Sequence, residues 1–243
     1  MKNKILFLLT ICICGCLSMV GQNDDAKVLR PLKSSVDDYI PLLNSAGYEA
    51  FTFDLSPLSD GQYYISFKIK VYKDGKEEMD DLLGGNFTLQ NIRLLSDFPE
   101  ESRKEIKAED IADPERGIFT MSKKLTIGLT PVVNDSIRPF MLELENMGGL
   151  TGQLNMQPLY ENNDSVNGKK FYWYNTRPFK IQEITNGKFI PLVLYGSWWY
   201  DKDFDIFRFC GEKEVDPDMS SDILKYIPNY YVFGIEVNPI KTL

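Results

Sequence analysis

The side chains that could do chemistry here are bounded by one absence: the chain of 243 residues contains no histidine. Ser-His-Asp and Cys-His nucleophile systems, imidazole bases and histidine-ligated zinc are therefore excluded. Three of the four cysteines, Cys12, Cys14 and Cys16, lie within the first sixteen residues, and only Cys210 lies beyond them. A single thiol holds neither an iron–sulfur cluster nor a structural zinc, and it forms no intramolecular disulfide. No glycine-rich phosphate fingerprint is present, so no cofactor is expected. Carboxylate catalysis, Ser-Lys or Tyr chemistry, oxygen-ligated calcium and aromatic binding surfaces remain.

Among the acids, Glu143 and Glu145 stand two apart on one face of a predicted strand, and Glu236 lies near the end of the last one. Two carboxylates flanking a sugar bond suffice for glycoside hydrolysis, although alternating acids on a solvent face give the same pattern. Asp201, Asp203 and Asp205 resemble the start of a calcium loop, with Glu212 at the twelfth place. The sixth place, where such a loop turns on glycine, is Ile206, so these are weak ligand candidates and no metal is expected. The aromatic residues are the strongest positive signal: residues 171–233 hold 17 of the 31, including all three tryptophans. Trp173, Trp198, Trp199 and Tyr200 are the candidate ligand-binding residues, because exposed rings stack on sugar faces and anchor protein interfaces. Neighbours on a strand point to opposite faces, so Trp198 and Trp199 cannot both enter one core.

The elements that must position these residues read mainly as strands. Lys2 and Lys4 precede the apolar run Ile5 to Ile13, too short to span a bilayer, which predicts an export signal over residues 1–21. Cleavage after Gly21 competes with lipidation of Cys16 in the imperfect lipobox Ile13-Cys14-Gly15-Cys16. Residues 22–33 read as a tether, and 34–243 as a single β-rich domain with an alternative split near 148. Ser34 to Ala46 predicts a short helix interrupted by Pro41. A period of two then appears at Phe51 and Phe53 and over Tyr63 to Tyr72. Further strand patterns cover Phe87 to Leu95, Ile118 to Leu129, Phe140 to Glu145, Leu150 to Leu159, Lys170 to Tyr174, Phe179 to Thr185, Phe189 to Tyr200, Phe204 to Phe209 and Tyr230 to Val237. Short turns at Asp74-Gly75 and Asn186-Gly187 separate some of them. The fold class expected is mainly β, an antiparallel β-sandwich-like two-layer fold with a few short helices.

Removing residues 1–21 takes away two lysines and leaves 25 basic against 35 acidic residues, a formal charge of −10. With its basic residues scattered, such a chain is not expected to bind nucleic acid. A membrane is expected as a partner only through a lipid anchor. The signal, the polar tether, the acidic domain and the closing Ile227-Pro-Asn-Tyr-Tyr-Val-Phe-Gly-Ile-Glu-Val237 resemble a family of exported envelope proteins of unknown function from gut anaerobic bacteria. Asp135-Ser136-Ile137 and Asp164-Ser165-Val166 are similar to the Asp-Ser/Thr-aliphatic pattern at which such bacteria attach O-glycans, which implies Ser136 and Ser165 as modification candidates. Together these features predict an exported protein, periplasmic, secreted or held at the outer membrane by lipid. The expected role is a non-catalytic module binding a glycan or an envelope protein. A carboxylate-dependent glycoside hydrolase and a structural subunit of an envelope assembly are the rival readings.

Overall fold

The computed structural model describes residues 32–85, 87–159, 170–201 and 203–240. The expected export signal, Cys16 and Ser165 lie outside the described residues. Residues up to Tyr39 form one compact unit and residues 40–243 another. Among the described residues of the first, a 3-10 turn spans Val36–Asp38. The Ser35 amide and hydroxyl both donate to the Asp38 carboxylate, at 2.7 and 3.0 Å, and these bonds hold that carboxyl below its usual range.

The second unit opens with the helix Ile40–Ser45, so the interrupted pattern around Pro41 resolves into a 3-10 turn and a short helix. Its strands, in chain order, are β1 (Glu49–Asp54), β2 (Tyr63–Lys73), β3 (Lys76–Met79), β4 (Thr88–Gln90), β5 (Ile92–Leu94), β6 (Ile118–Met121) and β7 (Lys124–Leu129). Then follow β8 (Ile137–Leu144), β9 (Gly148–Asn155), β10 (Tyr174–Pro178), β11 (Phe189–Ser197), β12 (Trp199–Asp201), β13 (Ile206–Arg208) and β14 (Asn229–Pro239). The first sheet has the order β1-β7-β8-β9 and the second β10-β11-β14-β2-β3, with β4 also on β2, while β5-β6 and β12-β13 form two-stranded sheets. Every ladder between named strands is antiparallel. The fold is therefore mainly β, as the alternating patterns predict. Position 148 begins β9, which pairs with β8 from Ile137↔Asn155 to Leu144↔Gly148.

Alternation decides which faces meet. In β2, Ile65, Phe67 and Ile69 are buried while Lys68 and Lys70 point the other way. Leu125, Ile127, Leu142 and Leu144 do the same for the first sheet, and the two inner faces share one core in which Phe140 meets Phe233 edge to face at 5.6 Å. Each such fully buried side chain contributes roughly 1.5–3 kcal/mol. Glu49 ties the layers at one edge, accepting from Arg138 Nη2 at 2.6 Å and from the Thr176 hydroxyl.

The second sheet is covered on its outer face too, at one end. Val215, Ile223, Leu224 and Ile227 pack there on Leu194, Tyr230 and Val232. That explains why β11 and β14 read as nearly continuous apolar runs rather than alternating ones. The rest of that face is polar, with Lys68 and Lys70 paired to Glu236 and Asp80 at 2.7 and 2.6 Å. Phe189 lies across Gly234, where a Cβ would sit 2.5 Å from its ring.

Several expected strands change their bounds. The stretch Ile118 to Leu129 splits into β6, which pairs with β5, and β7, which pairs with β1 and β8. Lys170 to Tyr174 contributes only its last residue to β10. Phe179 to Thr185 is not a strand: Phe179 makes one isolated bridge to Val215, and the residues after it run without ladder pairing. Trp198 interrupts the apolar run between β11 and β12, its amide donating to the Trp173 carbonyl at 2.8 Å.

Candidate functional site

The β12–β13 hairpin sorts the aromatic residues. Its register sets Trp199 opposite Arg208, Tyr200 opposite Phe207 and Asp201 opposite Ile206. Period two therefore places Trp199, Asp201 and Arg208 on one face and Tyr200 and Phe207 on the other. The expectation that Trp198 and Trp199 take different sides holds in detail, since each ring has its own partners.

On the Tyr200 side the rings bury one another. Trp173 meets Trp198 at 5.5 Å and 66°, Phe207 at 4.9 Å and 80°, and Phe171 at 5.0 Å and 55°. Tyr200 leans on Phe207 at 5.3 Å, and its hydroxyl donates to Asp205. Edge-to-face packing stabilises each pair by about 0.5–1.5 kcal/mol beyond burial, but it turns ring faces toward other rings. Trp173 stays 42% exposed, yet no flat shelf forms around it.

On the Trp199 side the geometry is open. Trp199 and Tyr226 lie nearly parallel, 5.7 Å apart and 25° between planes, at the wall of a cleft of about 530 Å³. Asp201, Arg208, Cys210, Glu212 and Asp222 complete the lining. Arg208 Nε stands 2.9 Å from Asp201 Oδ2. Lys225 pairs with Asp222, and that hydrogen bond raises the lysine's pKa. The Asp222 amide donates to Glu212 Oε1 at 3.2 Å. Tyr226 is 60% exposed, so its outer ring face is available to a ligand.

Arg177 of β10 holds the loop that forms the cleft's floor. Its guanidinium donates to the carbonyls of Phe209, at 3.0 Å, and Glu212, and lies 4.6 Å over the Phe209 ring. The side chain is buried, and desolvation lowers its pKa. Below it, Asp216 bonds Lys180 and Ser221, which hold its carboxyl below the usual range. The sequence marks Glu212 only as the twelfth place of a calcium loop, and Arg177, Asp222 and Tyr226 by no pattern, because they lie outside the hairpin's own stretch of chain.

The other candidate residues separate. Glu143 stands on the outer face of the first sheet, and Glu145 pairs with Lys124 at 3.5 Å. Glu236 stands on the outer face of the second sheet, paired with Lys68. The core lies between these acids, and sheet packing alone separates such layers by about 10 Å. They do not flank a common cleft. Asp201 faces Arg208, Asp203 donates its amide to Asp201 at 3.1 Å, and Asp205 accepts from Tyr200. The Asp201 and Asp205 carboxylates are thus engaged, and among the described residues no group of three or more acids or cysteines is placed to hold a metal ion. Ser136 sits at the tip of the β7–β8 hairpin, beside Asn134 and Asp135 with φ of 50° and 62°. Its hydroxyl donates to the Asn134 carbonyl at 3.3 Å.

A second cleft of about 710 Å³ opens at the sandwich edge, between β1 and the residues that follow β10. Phe53, Leu55, Leu58, Ile190 and Ile235 line it. No sequence pattern marked it, since its walls come from both sheets.

Neither a curated protein nor a solved structure gives a significant match to the chain. One family model matches over residues 18–239, nearly the whole chain. The chain belongs to that family, described as a domain of unknown function, DUF5041.

Proposed function

We propose that the protein is an exported, non-catalytic binding module that holds a carbohydrate in the cleft beside Trp199 and Tyr226. The observation that carries this reading is the near-parallel ring pair at the wall of a cleft lined by Asp201, Arg208, Glu212 and Asp222. A sugar presents an apolar C–H face and a ring of hydroxyls. Aromatic rings take the first, and charged donors and acceptors take the second. Two of the three cleft carboxylates are ion-paired, Asp201 with Arg208 and Asp222 with Lys225. That favours binding over the acid–base pair that hydrolysis needs. The basic start and the apolar run Ile5 to Ile13 support export, with release after residue 21 or a lipid on Cys16 as the two routes. Ser136, on an exposed hairpin, suits enzymatic glycosylation there.

Tryptophan fluorescence of the purified chain, titrated with a panel of soluble polysaccharides and oligosaccharides, tests the reading. Saturable change that Tyr226→Ala and Trp199→Ala each weaken about tenfold is expected. A silent panel, or binding unchanged in both variants, overturns it.

A further inference from the structure

The cleft at the sandwich edge shares no lining residue with the aromatic cleft. Its floor is core: Leu55, Leu58, Ile190 and Ile235 are each 5% exposed or less. Its lip is the segment 181–184, which lies beyond β10 without forming a strand. Ile181 there is fully exposed, and Ile184 is 37% exposed. Among the described residues no backbone amide from 181 to 186 donates to a backbone carbonyl, although Phe179 still bonds Leu192 and Gly187 bonds Val237 on either side. The opposite wall carries Thr52, Phe53 and Asp54 of β1, the outer strand of its sheet, whose second edge has no strand partner among the described residues.

We propose that this cleft receives an extended polypeptide segment of a partner protein, laid alongside residues 181–184 with apolar side chains at alternate positions directed between the sheets. Strand addition takes affinity from main-chain hydrogen bonds and specificity from pockets for every second side chain. Both features are present, since unpaired backbone borders an apolar floor. An acyl chain would fill the same floor but would cover the amides and carbonyls of 181–184 without bonding them, and a covered, unbonded polar group is costly. A peptide satisfies the groups that a lipid would strand. The cleft volume of about 710 Å³ suits a few residues of extended chain.

Panning a random linear peptide library on the full chain, with counter-selection on the Ile181→Asp/Ile184→Asp double variant, tests this. Both positions are on the surface, and circular dichroism verifies that the variant folds. Selected peptides are expected to be apolar at alternate positions and to bind the double variant about tenfold more weakly in fluorescence anisotropy. N-methylation of the peptide backbone should cost a similar factor, about tenfold. Bound peptide should slow hydrogen exchange at amides 181–184. Three results overturn the proposal: no selected peptide, binding indifferent to N-methylation, or exchange protection confined to other segments. Myristate filling the cleft where no peptide binds would assign an acyl site and overturn it equally.

Discussion

On one side of the β12–β13 hairpin, Trp173, Trp198 and Phe207 meet at steep angles and shield one another. On the other, Trp199 and Tyr226 lie almost parallel beside three carboxylates and a guanidinium. The first side packs several rings on one another, whereas the second sets one ring pair among charged side chains at a cleft. Steep angles consume ring faces in mutual packing, so that cluster acts as a small core fastening the hairpin to residues 171–173. Parallel rings with one exposed member leave a face for a ligand. Aromatic density alone does not locate a binding site.

The contrast is sharpest in stability. Trp198→Ala is expected to destabilise the protein by about 3 kcal/mol, read from urea unfolding, because it leaves a void among interlocked rings. A loss below about 1 kcal/mol would mean that this cluster is not a packing unit. Arg177→Met comes next. It leaves the carbonyls of Phe209 and Glu212 without their donor, and a loss of about 2 kcal/mol is expected together with weaker ligand binding. Unchanged binding in that variant would separate the loop from the cleft. Tyr226→Ala probes the open side alone: affinity should fall about tenfold, near 1.4 kcal/mol, while stability changes by about 0.5 kcal/mol or less. An equal effect on stability and affinity would erase the distinction between the two sides.

The smallest effect is a pH dependence that distinguishes the sandwich interior from the hairpin. Burial raises the pKa of Tyr231 to about 12 and pushes those of Tyr174, Tyr195 and Tyr230 upward as well. In the unfolded chain these phenols ionise near 10.0. Above that pH the unfolded state binds fewer protons than the folded one, so stability is complete below about 10 and declines as pH rises toward 12. Phenolate absorbance should therefore appear together with loss of far-UV dichroism, and Tyr231→Phe should move the midpoint to higher pH. Smooth ionisation of these tyrosines in a folded protein would show that the interior admits hydroxide.

Much of the architecture was legible because alternation is a local property. Tyr63 to Tyr72 names its own buried face, and the closing run Tyr230 to Val237 reads as a strand. Misjudged stretches were those where local pattern is ambiguous. Phe179 to Thr185 alternates like a strand, but its neighbour β11 offers it no continuous ladder, and only Phe179 keeps a bridge. Of the candidate site, Trp199 and Asp201 were visible in sequence. Tyr226 and Asp222 were not, and Glu212 only as a calcium-loop position, since they reach the cleft through the 3-10 turn Asp222–Lys225 and a loop held by a buried arginine.

By itself the sequence determined that no histidine chemistry is available, that the chain forms strands, and that its aromatic residues concentrate between 171 and 233. These depend on residue type and on spacing of a few positions. Which ring pair borders a cleft, which acids are paired and where two sheets part to leave an apolar cleft were decided only in three dimensions. Ring angles, ion pairs and inter-sheet gaps depend on residues dozens of positions apart, and no short-range pattern encodes their meeting.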